Sequence, residues 1–274
     1  MPFERVRREG YQYQEQPPSD HIENLGRYLL LASSLIPKNP TLGHFRIRHP
    51  DLQPGNIIVD SNLRIIGLID LQHTSILPLF LLAGIPERLQ NHDDPFSQTM
   101  TLPERSDVDQ DLNRRRLVHY HYVKNTEKYN ELHYAALTDP MDMLRRRLFC
   151  HASDMWDGET LALKVALIDA TAGESWETLT EGGPPCPIVF DAEDVRETRK
   201  LDAGQREADE NLEALRKIVG FGPEGWVPAE RYEEAMTHSE QLKEATLTVA
   251  ESEEERVQMA VHWPLDNIAE EEYM

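Results

Sequence analysis

The sequence predicts a mainly helical protein that carries one small β-hairpin. Apolar residues recur three or four positions apart between residues 20 and 36, and again in several segments after residue 107, which is typical of amphipathic helices. Two short runs, "NIIVD" and "RIIGLID", flank the turn-forming residues Asp60, Ser61 and Asn62. Short β-branched runs on either side of such a turn indicate a hairpin.

The first helix is expected between Pro18 and Pro37, with Asp20 and Glu23 in a reciprocal capping arrangement. Spacings of three and four predict that its buried face consists of Ile22, Leu25, Leu29, Ala32 and Ile36. A short strand, "HFRIR", follows and leads into a loop that contains Pro50 and Pro54. The predicted order is therefore helix, strand, rigid loop and hairpin.

The later part of the chain reads as helical, with segments at 107–130, 140–153 and 158–171. The run "EGGPPCP" at 181–187 interrupts them, and two acidic amphipathic segments follow at 192–219 and 228–263. We therefore predict an irregular segment at 1–19, one lobe at 20–186, and an acidic helical extension of that lobe at 187–274.

The charge and composition limit the classes of function. The net charge is -21, and residues 191–274 hold 23 acidic and 9 basic residues, which argues against binding to the phosphate backbone of nucleic acids. No window approaches the roughly 18 apolar residues of a membrane span. Cys150 and Cys186 are the two cysteines, so no disulfide framework is expected and a reducing compartment is indicated. The N-terminal residues show no targeting segment.

The stretch "RHPDLQPGNIIVD" contains the strongest functional signal. His49, Asp51 and Asn56 fit the pattern HxDxxxxN, which is the spacing of the catalytic loop in kinase-type phosphotransferases. In that chemistry a carboxylate orients the incoming hydroxyl and accepts its proton, and an amide oxygen holds a magnesium ion on the phosphates. The alternative is structural, with Asp51 as a helix cap and Asn56 as a turn residue.

A second carboxylate completes the pattern. Asp70 ends the run "RIIGLID", at the end of the predicted hairpin that follows the loop, where phosphoryl transfer requires a further metal ligand. The sequence thus predicts Asp51 and His49 as catalytic residues, and Asn56 and Asp70 as ligands of Mg²⁺ and the cofactor phosphates. As a surface charge, Asp70 would have no such role.

At these residues the sequence resembles the aminoglycoside-phosphotransferase-like branch of the kinase superfamily, which carries HxDxxxxN followed by "IDW" or "IDF". The wider run "HPDLQPGNIIVD…GLIDLQHTSILPLFLLAGIP", with "CPIVFDAEDV" and "EEERVQMAVHWPLDN", is similar to a fungal subgroup named altered inheritance of mitochondria. The resemblance implies a kinase-like fold, Mg²⁺ and ATP as cofactors, and a small hydroxylated phosphate acceptor of unknown identity. It also implies a mitochondrial location, whereas the residues alone would favour the cytoplasm. Leu71 replaces the usual aromatic residue, and the "GDP…D" segment of aminoglycoside kinases is not visible.

The sequence elements that bind the triphosphate of ATP in kinases are not recognisable in this chain. A kinase holds the triphosphate with a glycine-rich hairpin and a lysine in an N-terminal lobe, and 48 residues precede His49. We therefore expect a kinase-like C-terminal lobe that lacks most or all of the N-terminal lobe, with weak or absent ATP binding. Two hypotheses remain open: a phosphotransferase that is truncated and inactive as this chain, or a non-catalytic remnant that acts as a binding or scaffold module.

Several other motifs have simpler structural interpretations. Gly220, Gly222 and Gly225 spell GxGxxG, but a helix precedes them, so Gly220 is predicted to cap that helix. The two histidines of "HYHY" at 119–122 would face different sides of a helix, which argues against a metal site. His73 could touch a phosphate or be structural. The apolar run at 75–86 is expected to pack under the lobe, with a partner-binding groove as the alternative.

Overall fold

The computed structural model describes residues 16–49, 51–72, 74–86, 89–91, 94–103, 110–154, 156, 158–220, 227, 229–250, 252–261 and 263. The chain divides into two compact units. One comprises residues 1–24, 155–165 and 190–274, and the other comprises residues 25–154 and 166–189. The boundaries predicted after residues 19 and 186 stay predictions.

The described residues are mainly helical with small antiparallel sheets, which confirms the predicted fold class. The helices are α1 (Pro18–Ala32), α2 (Leu79–Leu82), α3 (Pro95–Gln98), α4 (Gln110–Tyr129), α5 (Glu131–Thr138), α6 (Pro140–Ser153), α7 (Leu161–Thr171), α8 (Gly173–Leu179), α9 (Ala192–Val219), α10 (Tyr232–Thr248) and α11 (Glu253–Val261). The strands are β1 (Phe45–Arg48), β2 (Ile57–Val59), β3 (Ile65–Leu68) and β4 (Ser75–Pro78). Single 3₁₀ turns lie at Ser33–Leu35, Pro40–Gly43, Pro54–Asn56 and Ala229–Arg231.

The predicted hairpin is present as β2 and β3. The two strands pair antiparallel with Ile57 opposite Leu68, and a bulge interrupts the register between Ile58 and Val59. Asp60 makes the turn, because its carboxylate accepts hydrogen bonds from the amides of Asn62 at 2.8 Å and Arg64 at 2.9 Å. A short polar side chain that bonds the backbone two residues later is a common way to close such a turn.

A second small sheet pairs β1 with β4, with Phe45 opposite Pro78 and Arg48 opposite Ser75. The apolar run at 75–86 thus begins as a strand rather than as one packed segment, and Ile76 remains 64% exposed. Its second half forms α2, where Leu79 and Ala83 pack with Ala136 of α5 in a buried cluster. The expectation that this run packs under the lobe is therefore correct only for α2 and the residue after it.

The predicted buried face of the first helix is wrong. Ile22, Leu29 and Ile36 are 69%, 71% and 62% exposed, whereas Leu31 and Leu35 are buried. Leu29, Leu30 and Leu31 are consecutive, so the apolar pattern fits a helical period in more than one rotational setting. Tertiary contacts select the setting in which Leu31 is buried, and local periodicity could not distinguish it.

Hydrogen bonds of charged side chains join helices of the unit at 25–154 and 166–189. The carboxylate of Asp139 caps α6 by accepting the amides of Met141 at 2.7 Å and Asp142 at 3.2 Å. Buried Arg145 then donates to the Asp142 carboxylate and to the Leu179 carbonyl, each at 2.6 Å. This single guanidinium fixes the end of α8 to the first turns of α6.

The other unit is built on the long acidic helix α9. Asp191 caps its start by accepting the amide of Glu193 at 2.8 Å, and Gly220 ends it with φ of 91°, a left-handed conformation that glycine adopts at little cost. Thr160 joins the segments of this unit, because its hydroxyl lies 3.1 Å from the His21 ring and accepts from Asn24 at 3.2 Å. The predicted segment at 228–263 is divided between α10 and α11. Among the described residues, no helix is both long and apolar enough to cross a membrane.

Asp94 provides a test of the packing between α3 and α4. Its carboxylate receives two hydrogen bonds from Arg116, at 2.8 and 2.7 Å, and two from the amide and hydroxyl of Ser97, at 3.0 and 2.9 Å. The bonds from Arg116, and then those from Ser97, hold the pKa of Asp94 well below its usual range, against an opposing effect of burial. The stabilisation is therefore present above the unfolded-state pKa of about 4 and is lost as the pH falls further.

We predict that Asp94→Asn lowers the free energy of unfolding at pH 7 by about 2 kcal/mol, because bonds to a charged acceptor are lost. The difference from the wild type should shrink as the pH falls below about 4. Urea unfolding at pH 7 and pH 3 measures both effects. The control is Glu127→Gln, which removes an exposed pair with Lys124 and should leave the midpoint unchanged. Equal urea midpoints for the wild type and Asp94→Asn at pH 7 would contradict this account.

Candidate functional site

Asp51 lies in the loop between β1 and β2, half-buried, with one carboxylate oxygen held in place. Its Oδ2 accepts hydrogen bonds from Nε2 of Gln53 at 2.8 Å and from Nδ2 of Asn56 at 3.0 Å. No hydrogen bond to Oδ1 of Asp51 is formed by the described residues. The carboxylate is thus oriented through one oxygen, which leaves the other for an incoming group.

Asn56 closes the loop and is 8% exposed. Its Nδ2 donates both to the Asp51 carboxylate and, at 2.8 Å, to the Asp51 carbonyl. Because both partners can only accept, the amide nitrogen must face Asp51. The amide oxygen, which is the atom that a magnesium ion would bind, makes no hydrogen bond within the described part of the chain.

His49 joins the loop to the end of the hairpin. Its Nε2 lies 2.8 Å from the carbonyl oxygen of Ile69, so Nε2 carries the proton that is donated. The Ile69 amide donates in turn to the Asn56 carbonyl at 3.0 Å. Both bonds end on the residue immediately before Asp70, and the predicted residues therefore lie at one end of the hairpin.

Asp70 adopts a left-handed backbone conformation, with φ of 61°, and its side chain is exposed. Such a conformation costs a non-glycine residue on the order of 1 kcal/mol, and aspartate and asparagine tolerate it better than most. The adjoining bonds to Ile69 hold the backbone in place. The backbone conformation at Asp70 is therefore set by the neighbouring hydrogen bonds rather than by the intrinsic preference of aspartate.

The sequence did not single out Gln53, although it makes a 2.8 Å bond to the Asp51 carboxylate. A polar side chain two residues after the acid, inside a proline-bounded loop, is the signal that could have identified it. The 3₁₀ turn at Pro54–Asn56 explains the geometry, because the Asn56 amide donates to the Gln53 carbonyl at 3.0 Å.

The donor set fits a hard divalent cation. Asn56 and Asp70 offer an amide oxygen and a carboxylate, the ligand types that Mg²⁺ prefers, and Mg²⁺ commonly keeps several waters. Within the described ranges, no three His, Cys, Asp or Glu side chains converge to form a metal site. A site made from these residues would therefore be loose in the absence of substrate phosphates.

Other residues that the sequence singled out lie elsewhere. His119 is buried and accepts the Asn91 amide at 2.9 Å, while His121 is exposed, so the "HYHY" motif is divided between core and surface as predicted. Gly220 is the cap of α9, as predicted. His73, Gly222 and Gly225 lie outside the described residues.

An open groove of about 1150 Å³ lies beside the hairpin. Ile57 and Ile65 line one side, and Leu117, Tyr122 and Tyr129 of α4 line the other. The groove adjoins the first residue of β2, immediately after Asn56. Its volume is slightly above the range of about 300 to 1,000 Å³ that is typical of small-molecule sites.

The comparisons with known proteins give fungal relatives. A subtelomeric hrmA-associated cluster protein of Aspergillus fumigatus, matched in two strains, is 27% identical over 264 residues, which cover 90% of this chain and 50% of the relative. Altered inheritance of mitochondria protein 9, mitochondrial, of Lachancea thermotolerans is 25% identical over 211 residues, covering 73% of this chain and 33% of the relative. The similarity to a protein of the altered-inheritance group is thus confirmed.

The chain spans about half or less of the length of these curated relatives. No family model matches the chain, and no solved structure matches it. The relationship to kinases and the roles of His49, Asp51, Asn56 and Asp70 stay predictions.

We predict weak binding of Mg²⁺ by the wild-type chain and its loss in Asp70→Asn. The substitution removes the negative charge, while asparagine still tolerates the left-handed backbone, so the fold should survive. Thermal unfolding with and without millimolar Mg²⁺ measures the effect. Asp154→Asn is the control, because Asp154 is also exposed but lies at the C-terminal cap of α6. An equal Mg²⁺-induced rise in the melting temperature of the wild type and Asp70→Asn would refute the site.

Proposed function

We propose that this chain carries the catalytic loop and the metal-binding hairpin of a kinase-like phosphotransferase. The reaction would move the terminal phosphoryl group of ATP to a hydroxyl group of a small molecule. The observation that supports the proposal most directly is the pair of hydrogen bonds by which His49 and Asn56 hold the Ile69 backbone, since they bring the loop with Asp51 to the residue before Asp70.

Asp51 would orient the acceptor hydroxyl and take its proton during transfer. Gln53 and Asn56 both bond Oδ2 of Asp51, so Oδ1 would face the hydroxyl. Bonds to one oxygen fix the direction of the other, and positioning of this kind supplies much of the rate in phosphoryl transfer.

Asn56 and Asp70 would hold Mg²⁺, which when bound neutralises charge on the phosphate oxygens. His49 would act as a positioning residue, because its bond to the Ile69 carbonyl places the backbone that precedes Asp70. The mitochondrial name of the Lachancea relative supports a mitochondrial location for this chain as part of the same proposal.

A non-catalytic binding module is the second candidate. Several apolar side chains of the sheet formed by β1 and β4 are exposed, among them Phe45 at 65% and Ile47 at 72% on β1 and Ile76 at 64% on β4, opposite Ile47. Exposed apolar residues that cluster on neighbouring strands are typical of surfaces that bind another polypeptide. The described residues also include no glycine-rich hairpin of the kind that covers the phosphates of ATP.

We predict that the 274-residue chain by itself will not turn over ATP measurably. Without a phosphate grip the terminal phosphate has no fixed direction toward Asp51, and one preorganised donor alone is typically worth a factor of about 100 to 1,000. A chimera that joins this chain to the unaligned part of the Aspergillus relative should transfer phosphate, and Asp51→Asn in the chimera should abolish the transfer. Formation of ADP from ATP, which accompanies transfer to an acceptor hydroxyl or to water, measures both.

Ser61→Ala in the chimera is the matched control, because Ser61 lies in the hairpin turn at the far end from Asp70. Asp51-dependent turnover by the chain alone would show that it grips ATP in a way that its sequence does not reveal. A folded chimera that binds ATP but transfers no phosphate would favour the binding module.

A further inference from the structure

A smaller cavity, of about 360 Å³, lies behind the catalytic loop. Its apolar wall consists of the side chains Leu52, Leu68, Leu79, Leu82 and Leu132. Its polar wall includes Arg48 of β1, at the base of the loop, and His133 of α5. Pockets that bind small molecules have this size and this combination of an apolar wall with few polar groups.

The polar wall collects positive charge around two backbone carbonyls. Arg48 donates hydrogen bonds to the carbonyls of Leu82 and Gly84. The Gly84 backbone and the Arg146 guanidinium are both close enough to affect the protonation of the His133 ring. Among the described residues, no carboxylate lies within 4 Å of a side-chain nitrogen of Arg48 or His133.

This arrangement is electrostatically incomplete. Buried charges are normally paired, because an isolated charge loses its hydration without compensation. Burial, followed by the charges of Arg48 and Arg146, lowers the pKa of His133 to about 4, and the nearby Gly84 backbone only partly opposes them. Nε2 of His133 is buried and has no partner among the described residues. An anion in the cavity would compensate the charge of Arg48 and favour a protonated His133 ring, whose Nε2 would then act as a donor.

The contrast with the rest of the chain adds to the argument. The net charge is -21, yet two arginines and two histidines line this cavity, namely Arg46, Arg48, His49 and His133. Arg146 lies close to His133. A purely structural role explains the bonds of Arg48 to the two carbonyls. It does not explain why His133 is placed against two cations with its second nitrogen unsatisfied.

We propose that the 360 Å³ cavity binds a small molecule with one anionic group, a phosphate or a carboxylate, on an apolar body. The anionic group would contact Arg48 and His133, and the apolar body would lie against the leucines. The inference goes beyond the proposed phosphotransfer and does not depend on it, because Asp51, Asn56 and Asp70 do not line the cavity, and His49, which does, acts in that proposal through the Ile69 backbone.

The test uses the whole chain and four probes: hexyl phosphate, hexanoate, hexanol and inorganic phosphate. The signal of the His133 ring is assigned by comparison with His133→Gln and followed by NMR at pH 5.5, where the free ring is neutral. A bound anion favours the protonated ring and raises its pKa by about one to two units. Hexyl phosphate or hexanoate should therefore shift the signal saturably toward that of imidazolium, and the tighter of the two identifies the anionic group.

Titration calorimetry measures binding in the variants, because His133→Gln lacks the reporter ring. Binding of the tighter anion should weaken about 10-fold in His133→Gln, which removes one charged contact. Arg48→Met should weaken it at least as much, but Arg48 also satisfies two carbonyls, so this variant is interpreted only if its melting curve is cooperative. His121→Gln, an exposed histidine outside this cavity, should leave binding unchanged. Asp51→Asn should also bind normally, and its phosphotransfer activity in the chimera reports separately on the proposed function.

Three results would overturn the proposal. The first is that neither hexyl phosphate nor hexanoate, at concentrations up to about 10 mM, shifts the NMR signal of the His133 ring saturably. The second is binding of hexanol as tight as that of the anions, which would make the cavity a purely apolar one. The third is binding of inorganic phosphate as tight as that of hexyl phosphate, which would remove any role for the leucines.

Discussion

The peptide unit of Ile69 is the constraint on which the candidate site depends. Its carbonyl accepts the Nε2 proton of His49 at 2.8 Å, and its amide donates to the Asn56 carbonyl at 3.0 Å. The segments on either side are short and have little core of their own. Two hydrogen bonds, rather than a packed core, therefore fix the loop relative to the end of the hairpin. Asp70 follows in a left-handed backbone conformation that is unfavourable for a non-glycine residue.

The parts of this arrangement that could be predicted are those encoded by local spacing. The hairpin turn at Asp60 and the start of α9 at Asp191 follow from side chains that bond their own neighbouring backbone. The end of α9 follows from the left-handed backbone of Gly220. The parts that could not be predicted depend on residues distant in sequence. Tertiary contacts determine which face of α1 is buried, the pairing of β4 with β1 and the contact of Gln53 with Asp51. The sequence pattern alone is compatible with several arrangements of each.

Electrostatics differ sharply between neighbouring parts of the same unit. Asp94 is satisfied by Arg116 and Ser97. Asp142 is paired with Arg145 through Oδ1, although its Oδ2 has no partner among the described residues, so each of these carboxylates faces an opposite charge. Arg48 instead donates to two backbone carbonyls. A dipole supplies a hydrogen bond but no net charge, and this difference separates a finished structural contact from one that can still accept a ligand.

The two sheets of the described chain each contain two strands, so every strand has one lateral edge with backbone groups that no neighbouring strand pairs. Edges of this kind accept a further strand, and the exposed isoleucines on β1, β3 and β4 would add apolar contacts to such an addition. At high concentration this chemistry favours growth of the sheets from one molecule into the next. The same geometry that leaves the hairpin accessible also exposes strand edges that favour self-association, which the net charge of -21 opposes.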